Sequence, residues 1–221
     1  MAGLFITFEG GEGSGKTTQI QLLEEWFKSD EKSIEPLVTR EPGGTAAAEA
    51  IRKLLVTGSA EKWLPTTEAM LMSASRHEHV ERMIKPALAR NQVVICDRYN
   101  DSTTVYQGIV GGVDRDAIAG LNQLACGDLV PDITILLDLD VDRGLDRADG
   151  RGGDETRFEA KGRTFHANVR DGFLALAKQE PERFCVIDAS GAIDEIFAHV
   201  RDAVSACMAR KNFVVAGDGG V

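Results

Sequence analysis

Short apolar runs rich in β-branched residues alternate along this chain with longer stretches whose apolar positions recur every three or four residues. Runs of the first kind read as buried strands and stretches of the second as amphipathic helices. Strands are expected at Leu4 to Phe8, Pro36 to Thr39, Gln92 to Cys96, Ile133 to Leu137 and Phe184 to Ile187. Helices are expected at Gly15 to Ser29, Ala46 to Thr57, Thr66 to Arg90, Asp114 to Cys126, Val141 to Ala148, Lys161 to Glu180 and Ile193 to Met208. The alternation predicts βαβ units and a parallel five-stranded sheet covered by helices on both faces, an α/β class. Ala148 to Lys161 breaks the rhythm with Gly150, Gly152 and Gly153 set among charges. A strand and a helix return after it, so it is expected to be a lid inserted into one domain spanning 1–210. The tail 211–221 ends in the glycine-rich Ala216 to Val221 and is expected to fray.

With 221 residues the chain is long enough to bury one sizeable core, roughly 70% of its unfolded surface. Its 43% hydrophobic and 27% charged content argue against disorder and fibrous classes. No run approaches a membrane span, and the chain enters a strand pattern directly after Met1 without a leader pattern, so a cytoplasmic protein is expected. A net charge of -10 argues against a nucleic-acid polymer as partner, because such binders usually carry a basic face, while local basic clusters still suit small anions. Cys96, Cys126, Cys185 and Cys207 are too far apart for a zinc motif and read as buried free thiols. His77 and His79 lie two apart on a helix pattern, on different faces, which suits packing or surface roles rather than a metal pair.

Gly10-Gly11-Glu12-Gly13-Ser14-Gly15-Lys16-Thr17 fits G-x-x-x-x-G-K-[ST] between an apolar strand and an amphipathic helix. Glycines let the backbone aim successive N–H groups inward, and the helix adds its positive N-terminal end. The loop, with Thr18 after it, is therefore expected to bind ATP. Lys16 would reach the β- and γ-phosphates and the Thr17 hydroxyl would ligate Mg2+. Glu12 is repelled by the phosphates it surrounds and needs a partner elsewhere, either solvent or a hydroxyl of the second substrate such as a sugar 3'-OH.

The second strand runs into Thr39-Arg40-Glu41-Pro42-Gly43-Gly44-Thr45, and the third into Asp97-Arg98-Tyr99 followed by Ser102, Thr103, Tyr106 and Gln107. Arg40 and Arg98 end strand patterns and can converge on one anion by charge-assisted bonds. Asp97 and Asp138 each close an apolar run, and position alone does not say which carboxylate meets the metal. Together with the P-loop these segments resemble the thymidylate kinase family, to about Met208. The resemblance implies a three-layer α/β/α P-loop fold with strand order 2-3-1-4-5. It also implies phosphorylation of dTMP to dTDP by ATP with Mg2+, a step toward dTTP for DNA synthesis, in a homodimer. A kinase for another nucleoside monophosphate is the alternative, because the P-loop does not choose the acceptor.

By the same resemblance, Arg40 and Arg98 hold the acceptor phosphate, Asp97 is the metal-side carboxylate, and Arg76 bonds the thymine carbonyl. Four residues before that arginine the family usually has a phenylalanine that stacks on thymine, and here Met72 stands there. A thioether can still cover an aromatic face, by about 0.3 to 1.5 kcal/mol. Ser102, Thr103 and Gln107 match the segment near base and sugar, and equally suit helix caps. Arg143, Arg147 and Arg151 recur every four residues and would share a helix face, read either as a solvated charged surface or as a lid over ATP. Bacterial-type members lack a basic residue inside the P-loop and supply arginines from the lid. This chain follows that pattern, so Lys16, Arg98, Arg147 and Arg151 are the expected catalytic charges.

Overall fold

The computed structural model describes residues 3–29, 32–149, 157–158 and 161–213. Its elements in chain order are β1 (Leu4–Glu9), α1 (Lys16–Lys28), β2 (Leu37–Arg40), α2 (Ala46–Val56) and α3 (Pro65–His79). A π turn (Val80–Ile84), α4 (Lys85–Ala89), β3 (Val93–Asp97), α5 (Asn100–Thr103) and a second π turn (Thr104–Val110) follow. The remainder is α6 (Arg115–Cys126), β4 (Ile133–Asp138), α7 (Val141–Asp149), α8 (Arg163–Gln179), β5 (Phe184–Asp188) and α9 (Ile193–Lys211).

Among the described residues the five strands form one parallel sheet in the order β2-β3-β1-β4-β5, as expected. β1 lies at its centre and is buried along its whole length, which is why Leu4-Phe5-Ile6-Thr7-Phe8 is a continuous run rather than an alternating one. Leu4, Ile6 and Phe8 face one helical layer and pack with Ile20, Leu23 and Phe27 of α1 and with Val200 and Val204 of α9. Phe5 faces the other layer, where Val94, Ile84, Leu88 and Tyr99 surround it. Each face of the sheet thus has its own apolar core. The loops leaving β1, β2 and β3 all emerge at one edge of it, at a point where the strand order reverses, and such edges form crevices.

Two expectations are corrected. Thr66 to Arg90 is not one uniform α-helix: the wider turn Val80–Ile84 interrupts it. Pro86 has no N–H to give to Arg82, and its ring would crowd the carbonyl four residues back, so the widened turn precedes it. The segment after Tyr99, to which the sequence pattern assigned no element, is helical from Asn100 through Val110. Its start is held by a carboxylate distant in sequence: Glu9 Oε1 accepts from the backbone N–H groups of Tyr99 at 2.9 Å and Ser102 at 3.1 Å. No local capping residue announces this helix, and Glu9 caps it through the fold. Most of the expected lid, including Gly150, Gly152 and Gly153, lies outside the described residues, as does the tail beyond Phe213.

Candidate active site

The loop between β1 and α1 carries the G-x-x-x-x-G-K-[ST] segment Gly10 to Thr17. Gly13 and Gly15 have φ of 67° and 91°, in the left-handed region where side chains are strained. A Cβ on Gly13 would in addition overlap the carbonyl oxygen of Gly144, where α7 passes the loop. Lys16 is buried and folded against the loop, donating to the carbonyls of Gly10 at 3.2 Å and Gly11 at 3.0 Å and to Ser14 Oγ at 3.5 Å. Burial, and secondarily the Arg98 cation, lower its pKa from the ordinary lysine value. Thr17 is exposed and Thr18 half-buried on the first turn of α1.

From this loop an open cleft of about 270 Å³ extends across the ends of β2 and β3 to α3 and the segment following Tyr99. The structure brings most of the expected site residues to it: Glu12, Gly13, Ser14, Gly15, Lys16, Thr17, Arg40, Met72, Arg76, Asp97, Arg98, Ser102, Thr103 and Gln107 all line it. Gly10 and Gly11 form the back of the loop beside β4.

Arg98 sits between the P-loop and the segment that carries Ser102 and Tyr106. Its backbone has a φ of 66°, a left-handed conformation costly for a residue with a Cβ. Its guanidinium donates to Gly10 O at 3.2 Å, Ser102 Oγ at 3.3 Å and Glu12 Oε1 at 3.0 Å, and lies 5.3 Å from the centre of the Tyr106 ring. Burial works against this cation, but Tyr106, Glu12, Glu9 and Asp97 more than offset it and hold its pKa above the ordinary arginine value. Glu12 therefore turns neither to solvent nor, in this unliganded site, to a sugar: it is ion-paired with Arg98. Glu9, absent from the sequence expectations, is fully buried beneath them, accepting from Ser102 Oγ at 2.7 Å. Burial pushes its pKa up to about 7, against the opposing pull of Arg98.

At the far end, Arg76 is only 2% exposed. Nε donates to Glu41 Oε2 at 2.6 Å, and Nη2 donates to Tyr99 O at 3.1 Å and Thr103 Oγ1 at 3.0 Å. Among the described residues Nη1 has no partner. A buried guanidinium N–H left without an acceptor is costly, so this nitrogen is a donor available to a ligand or water oxygen in the cleft. Met72, one turn earlier on α3, is half-buried at the same end.

The two candidate metal carboxylates separate clearly. Asp138 accepts both arms of the Arg170 guanidinium, at 2.6 and 2.9 Å, and is committed to structure. Asp97 lines the cleft with a buried Oδ1 that has no partner among the described residues. Hard oxygen donors on Thr17 and Asp97 in one phosphate-binding cleft fit Mg2+.

Ser102 and Thr103 act as neither helix caps nor free ligands here: each hydroxyl fixes an arginine, Arg98 and Arg76 respectively. Gln107 is buried and donates to Glu68 Oε1 at 2.6 Å. Glu68 in turn pairs with the fully buried Arg157, a residue with no local sequence signal, and Phe158 beside it packs edge-on against Tyr106 at the cleft. Arg40 is at the rim, about half exposed, 3.5 Å from Glu49. Arg147 is exposed on α7 and is not among the cleft-lining residues, and Arg151 lies outside the described residues. The expectation that His79 packs holds, with both ring nitrogens engaged at Thr39 and Glu41.

A phosphate loop joined by one cleft to a second pocket of arginines, on a 2-3-1-4-5 sheet, defines a P-loop phosphotransferase acting on a phosphorylated acceptor. The sequence model of the family described as thymidylate kinase matches residues 8–200. The thymidylate kinase of Caulobacter vibrioides is 50% identical over 202 residues, covering 91% of this chain and 96% of that protein. That of Geotalea uraniireducens is 47% identical over 212 residues, covering 94% and 99%. A crystal structure of thymidylate kinase from Ehrlichia chaffeensis superposes with a TM-score of 0.74 at 35% identity, covering 92% of this chain and all of that one. The chain belongs to the thymidylate kinase family.

Proposed function

We propose that this chain transfers the γ-phosphoryl group of ATP to dTMP in the cleft between the P-loop and α3. The observation that carries the acceptor assignment is Arg76 Nη1, a buried donor without a partner among the described residues, on a side chain lining the same cleft as Lys16. A thymine carbonyl supplies the acceptor it lacks, with Met72 covering the ring. Arg98 and Arg40 take the acceptor phosphate, and Lys16 with the loop N–H groups takes the β- and γ-phosphates of ATP. For Arg98 to do so its bond to Glu12 must loosen, which frees that carboxylate for a sugar hydroxyl.

The acceptor is already an anionic oxygen, so no general base is needed and the residues act by positioning and charge stabilisation. Mg2+, held by Thr17 and Asp97, neutralises charge on the phosphates when bound. Arg147 would approach ATP if α7 moved onto the nucleotide, which would also exclude water, and Arg151 is proposed to act beside it. No helix of the described residues is long and apolar enough to cross a membrane. We propose a cytoplasmic homodimer.

Purified protein with Mg2+ and ATP, offered dTMP, dUMP, dCMP, dAMP, dGMP and unphosphorylated thymidine in turn, should form ADP fastest with dTMP. Faster turnover of a purine monophosphate, or of thymidine, overturns the acceptor assignment. Static light scattering checks the dimer, which a monomer mass at micromolar concentration would refute.

A further inference from the structure

Behind Arg76 runs a buried chain of hydrogen bonds. Glu41 Oε2 accepts from Arg76 Nε at 2.6 Å, and Glu41 Oε1 lies 3.0 Å from His79 Nδ1. His79 Nε2 lies 2.8 Å from Thr39 Oγ1. A carboxylate only accepts, so Nδ1 carries the proton toward Glu41, while Nε2 shares its hydrogen bond with a Thr39 hydroxyl that also reaches Met83 Sδ at 3.6 Å. His79 is 0% exposed and Glu41 4%. Glu41, His79 and Cys96 stand close enough to suggest a metal site. Both ring nitrogens and both carboxylate oxygens are already engaged, however, and Arg76 neutralises the carboxylate.

The chain joins both halves of the acceptor pocket. Thr39 and Glu41 flank Arg40 at the end of β2, on the phosphate side, while Arg76 and His79 share a face of α3, on the base side. Gly44, from the loop that follows β2, lies so close to His79 that a Cβ there would overlap the ring. The imidazole is therefore clamped between the phosphate-side loop and the base-side helix.

We infer that His79 is a positioning residue for acceptor selection: through Glu41 it fixes the Arg76 guanidinium so that Nη1 faces the base. Nε is held by Glu41 and Nη2 by Tyr99 and Thr103, which leaves Nη1 as the nitrogen turned to the ligand. The inference rests on Arg76 reading the base, and the test separates the two.

His79→Gln places its amide nitrogen where Nε2 was, keeping Thr39 in reach and losing Glu41. His79→Asn places it where Nδ1 was, restoring the bond to Glu41. The Gln variant should raise KM for dTMP about ten-fold, the effect expected for one hydrogen bond to a charged group. KM for ATP should stay unchanged, and the Asn variant should recover all but about two- to three-fold. Arg76→Lys keeps a cation for Glu41 but loses Nη1, so it should raise KM for dTMP at least as much. His79→Gln added to it should have little further effect on that KM.

A purely structural His79 would lower the thermal midpoint in both variants alike and leave KM for dTMP untouched, and that outcome overturns the inference. So does equal KM in Asn and Gln variants, or full additivity with Arg76→Lys. An unaltered KM in Arg76→Lys instead defeats the base reading itself. If the Gln variant does not fold, Thr39→Val reads the chain from its other end: a rise in KM for dTMP of about two-fold supports the inference, and no rise overturns it.

Discussion

Replacing Arg157 by methionine removes a guanidinium that the fold has enclosed. Arg157 is 1% exposed and donates to the carbonyls of Ser59 at 3.1 Å, Leu55 at 3.0 Å and Ala60 at 3.1 Å, besides pairing with Glu68. Methionine fills much of the volume, so the loss is electrostatic. It strands the Glu68 carboxylate, whose side chain is 7% exposed, and three carbonyls lose their donor. Breaking a buried pair from one side costs about 3 to 5 kcal/mol. In a chain of this size each kcal/mol lowers the midpoint by about 2 to 4 °C, which predicts a fall of about 6 to 20 °C. Thermal unfolding of the unliganded protein at neutral pH, followed by circular dichroism, measures it. Glu68→Gln on the same background removes the stranded charge and should recover part of the loss. A fall below about 2 °C for Arg157→Met, or no recovery in the double variant, refutes the reasoning. Glu68 also holds Gln107, so the single variant should weaken dTMP binding too.

Three further outcomes follow from the site. Between about 4.5, where the unfolded chain releases its proton, and about 7, where folded Glu9 does, the folded state binds more protons. Wild-type stability should therefore exceed its neutral value at the acid end of that window and fall as pH rises through it, by at most about 3 kcal/mol from this group. Denaturant unfolding of Glu9→Gln should show that slope reduced, and an identical pH profile would refute the burial argument. Arg98→Ala should lower kcat/KM for dTMP by about 10³-fold or more in steady-state assays, and a loss under ten-fold would remove Arg98 from the machinery. Met72→Phe should lower KM for dTMP by up to about ten-fold through ring stacking, and a raised KM would show that the pocket cannot admit the larger face.

The sheet was legible because β1, β3 and β4 are continuous apolar runs separated by helical periodicity, a pattern that a doubly covered parallel sheet imposes. The P-loop and the residues ending β2 and β3 were legible for a related reason: loops at the carboxyl edge converge whatever packs below them. What could not be read were partnerships set by tertiary geometry. Glu12 pairs with Arg98, 86 positions away in sequence, and Glu9 caps a helix 90 positions on. Nothing in the neighbourhood of either glutamate specifies its partner. Arg157 likewise carries no periodic or motif signal, because its meaning lies in carbonyls nearly a hundred residues earlier. The four-residue spacing of Arg143 and Arg147 did give a helix, yet spacing says nothing of which way the helix leans, and Arg147 stands in solvent while Arg143 donates to Ser190 O at 3.0 Å.

The contact between Gly13 and Gly144 has an evolutionary reading. A Cβ on Gly13 would overlap the Gly144 carbonyl, and one on Gly144 would press on the Glu12 carbonyl. Neither position can drift on its own, so a lineage that places a side chain at Gly13 must first, or at the same time, swing α7 outward. Such a swing would carry the arginines of α7 away from the loop. A charged side chain at Gly13 and charge supplied from α7 are therefore alternatives enforced by sterics, and changing one for the other there takes coordinated substitutions rather than a single step.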